Sequence, residues 1–331
     1  MADTGTSISF GVFVPQGWRQ DLTAIADPVE QYEAMTRVAQ DAERLGYDSI
    51  WVYDHFHTVP TPTRNTTFEA WTITAGLARD TKRVKVGQMA TCNGYRNPAL
   101  LAKMASTVDV MSHGRLILGL GAGWYEHEWR AYGYGFPERR ERMARFREAC
   151  AIVHQMFTED EPEFHGTYYS IDKPINEPKG AHQPHPRFWI AGGGERVTLR
   201  LVAQYGDGCN IGDDPDTVRH KCDVLRQHCA ALGRDYDSIV RSTSLEGVHL
   251  VESQKEAERE KARAATSPVH EEYVDSGLIT TSDRLAERIE ALVAAGAQYI
   301  LLYFPWAVTD ASQLERFARE VMPRFASTRG T

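Results

Sequence analysis

Short, solidly apolar runs alternate along the chain with longer stretches whose apolar residues recur at helical spacing. ISFGVFV (8–14) is followed by DPVEQYEAMTRVAQDAERLG. There Asp27 stands as N-cap, Pro28 at the first helical position and Glu30 at the third. Met35, Val38, Ala42 and Leu45 share a face, and Gly46 ends the element. YDSIWVY (47–53) precedes a helix near 67–79, and VKVGQMA (84–90) one that starts at Asn97-Pro98 and stops at Gly114. RLILGLG (115–121) precedes helix 138–157, RFWIAG (187–192) helix 195–205, and DGCNIG (207–212) helix 215–232. A strand across 239–250 has helical sequence after it. QYILLYF (298–304) leads into a last helix with Leu314, Phe317, Val321 and Phe325.

Eight such couplets predict a parallel sheet covered on both faces, which explains why the strands are apolar throughout. The pattern fits an α/β fold of the closed (β/α)8 TIM-barrel kind, one domain over 1–331, with an open doubly wound sheet as the alternative. Two stretches break the rhythm. Residues 158–187, where EFHGTYYSI reads as a hairpin, and 253–281, partly helical, are predicted insertions.

A barrel also explains IWVYDHFHT, where a strand leaves the core through an aspartate and histidines and not through Gly or Pro. In this fold ligand-binding groups sit where strands end and loops begin. Asp54 and His55 fall there for the second strand, and Met89, Ala90 and Thr91 for the third. The fourth strand contributes Gly121 to Trp124, the fifth Gly192-Gly193-Gly194, the sixth Asn210 and Gly212, and the eighth Phe304 and Trp306. Taken singly, Asp54 is equally a helix cap or loop ion-pair partner, and His55 a satisfied rim histidine. GLGAGW is half a dinucleotide fingerprint with Trp124 in its sixth place, and no steady helix follows it. IAGGGERVTLR places three glycines at a helix start, where free backbone N–H groups hold an anion or simply allow close strand–helix packing.

Composition narrows the function classes. Of 331 residues 42% are hydrophobic, the formal charge is −8, and no long Lys/Arg run offers the clustered cations that nucleic acid requires. No apolar stretch reaches membrane-spanning length. MADTGTSIS lacks a signal peptide's basic and apolar regions, so a cytoplasmic protein is expected. The five cysteines form no CxxC pair, and Cys222 and Cys229 lie on the apolar stripe of a helix. His182 and His185 in GAHQPHP have no interleaved carboxylate, so no metal site is expected.

DHF after the second strand, YRNPALLAKMASTVDVMSHGRLILGLGAGWYEHEWRAYG, and IAGGGERVTLRLVAQYGDGCN resemble the luciferase-like monooxygenase superfamily, and within it the branch dependent on the deazaflavin coenzyme F420. The resemblance runs from about 8 to 325. It implies a barrel with the cofactor at the C-terminal rim and its phosphate tail toward solvent. Asp54 and His55 match the pair beside the deazaflavin ring. Met89-Ala90 match positions where many members hold a non-prolyl cis peptide. His127 matches a polar position near the cofactor, and Gly193 and Gly194 the phosphate-side loop. Trp124 stands where the sugar-phosphate dehydrogenases of the group carry a glutamate, so their substrate is not inferred. Glu126 and Glu128 lie close by, Glu128 reading as a helix-surface residue. The resemblance also implies a homodimer.

Such a protein is expected to be an oxidoreductase moving a hydride between F420 and a small organic substrate. His55 would be the acid–base, because an imidazole titrates near neutrality, and Asp54 would fix its tautomer or cap the loop. Trp51 and Trp124 are expected near the ring, and Arg196 is a donor for an acidic tail. The alternatives are an FMN-dependent two-component monooxygenase and a non-catalytic barrel that keeps a ligand pocket.

Overall fold

The structure, a computed structural model, describes residues 8–267 and 270–326. The first seven residues, part of the stretch read for a leader, lie outside it, as do 268 and 269 within the second predicted insertion. Eight parallel strands close on themselves. They are β1 (Ser9–Phe13), β2 (Ser49–Val52), β3 (Lys85–Gln88), β4 (Leu116–Gly121), β5 (Arg187–Ala191), β6 (Gly208–Asn210), β7 (Val240–Glu246) and β8 (Tyr299–Tyr303). The order β3-β2-β1-β8-β7-β6-β5-β4 is joined end to end where Val86 pairs with Leu116 and Gly87 with Ile117. The closed barrel, not the open sheet, is therefore the fold.

The pleat divides each strand between two cores. Ile50, Val52, Val86, Leu116 and Leu118 face outward into the layer shared with the helices. Phe13, Trp51, Tyr53, Trp189, Tyr299 and Tyr303 point inward and fill the barrel with aromatic rings. Trp51 is thereby placed differently from the sequence expectation. Its Nε1 donates to Ser49 Oγ at 2.6 Å and its ring lies 5.2 Å from Trp189, deep in the barrel and away from the rim. Period-two alternation brings Tyr53, not Trp51, to the upper layer.

The helices begin and end where their caps predict. Asp27 accepts from the Val29 and Glu30 amides, and Gly46 closes α1 (Pro28–Leu45) with φ 88°. α2 (Ala70–Asp80) follows, and Asn97 caps α3 (Pro98–Met111). A short α4 (Glu126–Ala131) precedes α5 (Arg139–Thr158). α6 starts at Thr198 and not at 195, because the glycine loop continues through Glu195-Arg196-Val197 before Leu199 N bonds back to Gly194 O.

The strand expected over 239–250 is two. Gly247, at φ 96° with the Tyr273 ring packed against it, turns the chain out of the barrel, and His249–Val251 pairs instead with Ile279–Thr281 of the second insertion. The first insertion holds the predicted hairpin, Glu163–His165 against Ser170–Asp172. No helix among the described residues is long and apolar enough to cross a membrane.

Candidate active site

β2 leads into Tyr53, Asp54, His55, Phe56 and His57, and the two candidate residues among them go to different partners. Asp54 is buried, and its carboxylate takes the Cys92 amide at 2.8 Å and both Arg96 terminal nitrogens at 2.6 and 3.1 Å. Arg96 also pairs with Glu69. Burial lifts the Asp54 carboxyl above its usual range even against the guanidinium's pull. Asp54 makes no hydrogen bond to His55, so the expected tautomer-fixing role falls elsewhere. As an anchor for the loop through Cys92 and Arg96, it ties the end of β2 to the segment after β3.

The group that holds His55 is Glu128, 73 residues away. Its fully buried carboxylate sits 2.9 Å from His55 Nδ1. It also accepts from the Phe56 amide at 2.7 Å, the His57 amide at 3.2 Å and the Tyr95 hydroxyl at 2.9 Å. Burial alone would raise this carboxyl; the His55 bond and charge, with the Phe56 amide and the Tyr95 hydroxyl, outweigh it and hold it below the ordinary range. An ionised Glu128 is acceptor only, which assigns the proton to His55 Nδ1 and leaves Nε2 as an acceptor. Trp18 stacks on the imidazole, with centroids 4.9 Å apart and planes 10° apart. The surface-helix reading of Glu128 is corrected: α4 turns that face onto the β2 loop. Trp129, beside it, is seated against two glycines, where a Cβ on Gly94 would lie 1.8 Å from its ring and one on Gly123 2.8 Å.

These elements enclose a cavity of about 420 Å³ at the C-terminal rim. Asp54, His55, Met89, Ala90, Thr91, Trp124 and Gly192 line it, and the Met89–Ala90 peptide bond is cis. His127 does not line it; this residue is exposed and its Nδ1 lies 3.2 Å from His57 Nε2. Phe304 and Trp306 are also elsewhere. Phe304 packs on Phe317 in the outer core, and Trp306 packs between His249 and His270.

Gly194 opens instead onto a second, larger depression of about 1340 Å³ that shares Thr198 with the first. Arg139, Arg140, Arg147 and Arg196 line it, and among the described residues none of them has an ion pair. Three of its four acids are engaged, and the fourth, Glu138 ahead of α5, makes no ion pair among the described residues. Glu148 takes the amides of Thr167, Tyr168 and Tyr169, Glu141 pairs with Arg145, and Glu195 pairs with Lys221. Gly193 lies outside both linings, 3.5 Å (as a Cβ) from the Lys221 stem.

Two rim segments absent from the sequence expectation complete the cavity. After β1, Arg19 lies over the Trp18 ring at 4.2 Å and pairs with Glu246, at the end of β7, at 3.6 Å. Tyr53 donates to Glu246 at 3.0 Å. Behind them Asp21 accepts from Tyr303 at 2.7 Å, and burial pushes its carboxyl up to about 6. The signal was present in QGWRQD and in RSTSLEG, where a lone acid ends a strand of small and apolar residues. His182 and His185 are occupied by the carbonyls of His185 and Pro186.

The chain is 28% identical over 323 residues to an F420-dependent glucose-6-phosphate dehydrogenase of Amycolatopsis mediterranei, covering 88% of this chain and 93% of that one. It is also 28% identical over 319 residues to an FMNH2-dependent dimethylsulfone monooxygenase of Pseudomonas putida, covering 87% and 86%. The fold superimposes on an F420-dependent secondary alcohol dehydrogenase with TM-score 0.77 and 22% identity, over 96% of this chain and 99% of that one. Residues 8–298 match the luciferase-like monooxygenase family description, and the chain belongs to that family.

Proposed function

We propose that this protein is an F420-dependent oxidoreductase acting on a small organic substrate, with His55 as its acid–base group. The observation that carries the reading is the arginine-lined depression joined to the ring-sized cavity through Thr198. An FMN phosphate ends within a few atoms of its ring. F420 continues past its phosphate into an acidic lactyl-glutamyl tail, and four arginines without ion-pair partners suit such a tail. Small residues (Ala90, Gly121, Ala122, Gly123, Ala191 and Gly192) make up part of the first cavity's lining, which fits a flat ring system. F420-dependent relatives support this reading.

When bound, the deazaflavin supplies a hydride acceptor or donor at C5. The chain's own part is proton handling and positioning. His55 Nε2 takes the proton of a substrate hydroxyl on oxidation, or returns it on reduction, and Glu128 stabilises the imidazolium that forms. Trp18, Trp124 and Tyr125 exclude water from the reacting face, while the Arg19–Glu246 pair gives the far wall both a donor and an acceptor. Trp124 occupies the place of the glutamate expected of sugar-phosphate dehydrogenases, so the proposal does not extend to glucose 6-phosphate.

The test is a pair of titrations on the same preparation. F420 is expected to bind at least about tenfold tighter than FMN, a difference of about 1.4 kcal/mol. Replacing Arg139 and Arg147 together by Gln should weaken F420 and leave FMN unchanged. Tighter FMN binding, with oxygen consumed during turnover, would replace this reading by the monooxygenase, which the Pseudomonas relative favours.

A further inference from the structure

The rim holds more histidine than a single proton step at His55 uses. Glu128 presents two oxygens to two imidazoles. Oε2 meets His55 Nδ1 at 2.9 Å, while Oε1 lies 3.8 Å from His57 Nδ1 and accepts the His57 amide at 3.2 Å. His57 Nε2 in turn meets His127 Nδ1 at 3.2 Å, and His127 is exposed. A continuous series of titratable groups therefore runs from the cavity wall, beneath Trp18 and behind Tyr125, to solvent. Tyr95 donates to the same carboxylate, and burial holds its hydroxyl proton firmly in place. The rings of Tyr125 and Tyr132 flank His57, and Trp124 and Tyr125 flank His55.

His55 is itself buried, and its Nε2 is the nitrogen left for substrate. A cofactor and substrate filling a cavity of about 420 Å³ close that side to water. Protons must then travel by the other nitrogen. We propose that the proton collected or delivered at His55 is exchanged with solvent through Glu128, His57 and His127, without opening of the cavity. This rests on the reading of His55 as the acid–base group.

On oxidation of a substrate the bookkeeping of bonds is closed at each step. The substrate O–H breaks as N–H forms at His55 Nε2, and the His55 Nδ1–H breaks as O–H forms on Glu128. The carboxyl group then turns so that its O–H faces His57, which holds its proton on Nε2 once its ring has left the Thr58 carbonyl. That O–H breaks as Nδ1–H forms on His57, the His57 Nε2–H passes to His127 Nδ1, and His127 Nε2 releases its proton to water. Reduction runs the series backward. The 3.8 Å interval is the longest. A turn of the His57 ring from the Thr58 carbonyl, now 3.1 Å from its Nδ1, toward Glu128 closes it. Among the described residues no other carboxylate pairs with His55, and Asp54 is committed to Arg96 and the Cys92 amide.

The test needs neither cofactor nor substrate. The full chain is labelled with ¹⁵N-histidine and the solvent exchange of the His55 Nδ1 proton, assigned by its loss in His55→Gln, is measured by NMR at fixed pH. His57→Gln keeps the backbone amide on Glu128. It is expected to slow this exchange at least about fivefold, and His127→Gln about twofold or more. Added imidazole should restore the rate in His127→Gly, a rescue that a merely structural role does not produce. Exchange unchanged in both Gln variants, or no rescue, overturns the relay in favour of escape through the cavity mouth. Slowed and rescued exchange in a protein that fails to bind F420 leaves the relay standing and removes the cofactor proposal.

Discussion

Asp54 rests against a guanidinium that is charged at every ordinary pH, whereas Glu128 rests against imidazoles, whose ring nitrogens can each donate or accept a proton. Both carboxylates are buried at one rim, Asp54 on the loop after β2 and Glu128 on α4, and both also gather backbone amides. The first arrangement is a clamp: a fixed cation and a fixed anion lock the β2 and β3 loops together. The second is a seat for protons, because the imidazole nitrogens and the carboxylate between them can each take up or give up one. What sets their use is the partner, not the acid.

The comparison is sharpest when each partner is removed. Arg96→Ala leaves Asp54 and Glu69 without their shared cation, and breaking a buried pair in this way costs about 3–5 kcal/mol. Urea unfolding at neutral pH reads the loss. It should shrink in acid, since burial already pushes the Asp54 carboxyl toward its neutral form. A loss below about 1 kcal/mol would show that the clamp is dispensable.

Glu128→Gln removes the charge but keeps the shape, so a smaller loss is expected, about 1.5–3 kcal/mol for hydrogen bonds to a charged group. The folded Glu128 carboxyl lies below its unfolded value, so its contribution is present above the unfolded pKa and fades as pH falls through the folded one. Wild type and variant should therefore converge in acid. The same variant, assayed with F420 and a panel of alcohols and carbonyl compounds, should lose turnover about 10²-fold or more while keeping cofactor affinity. Loss of affinity equal to the loss of turnover would make Glu128 a second clamp.

Asp21 is a third case, an acid held by a hydroxyl and an amide. Its folded carboxyl titrates near 6, above the unfolded value, so its contribution favours folding below about pH 4 and is lost as pH rises through 6. Asp21→Asn is expected to stabilise the protein by about 1–2 kcal/mol at about pH 8, with the gain vanishing in acid. Thermal unfolding across that range decides it; a gain independent of pH would contradict the assignment. Asp27, far from the rim, provides the scale for an ordinary carboxylate: Asp27→Ala should cost about 1 kcal/mol through its lost N-cap, with turnover untouched.

Most of the barrel could be read from the chain because its signals are local. Asp27-Pro28, Asn97-Pro98 and Asp214-Pro215 mark helix starts within a few residues, and solid apolar runs mark strands buried on both faces. Of the rim positions expected from the fold, those after the second to fourth strands, Gly192 and Asn210 line the cavity, whereas Gly193 and Gly194 do not. What could not be read depends on pairing across distance. Asp54 and His55 are adjacent in sequence, yet the pleat sends them to Arg96 and Glu128 respectively. Glu128 looked like a solvated helix residue because nothing in YEHEWRAYG records that the β2 loop lies over it. Trp51 and Tyr53 differ by one pleat in height, and only the closed barrel shows which one reaches the cavity. Arg19 and Glu246 meet because β1 and β7 flank β8, a neighbourhood that exists only in the ring.

The seating of Trp129 between Gly94 and Gly123 has a consequence for how variation in this chain should be interpreted. The indole fixes the height of α4 against the β3 loop, and Glu128 is its immediate neighbour, so the acid's distance from His55 is set by a steric key and not by the two residues that react. A methyl group at Gly94 would touch neither cavity nor histidine, yet it would lift the acid out of register. In a random mutagenesis screen for lost activity, Gly94 should therefore score beside His55 itself, and a smaller ring at Trp129 should appear as its suppressor.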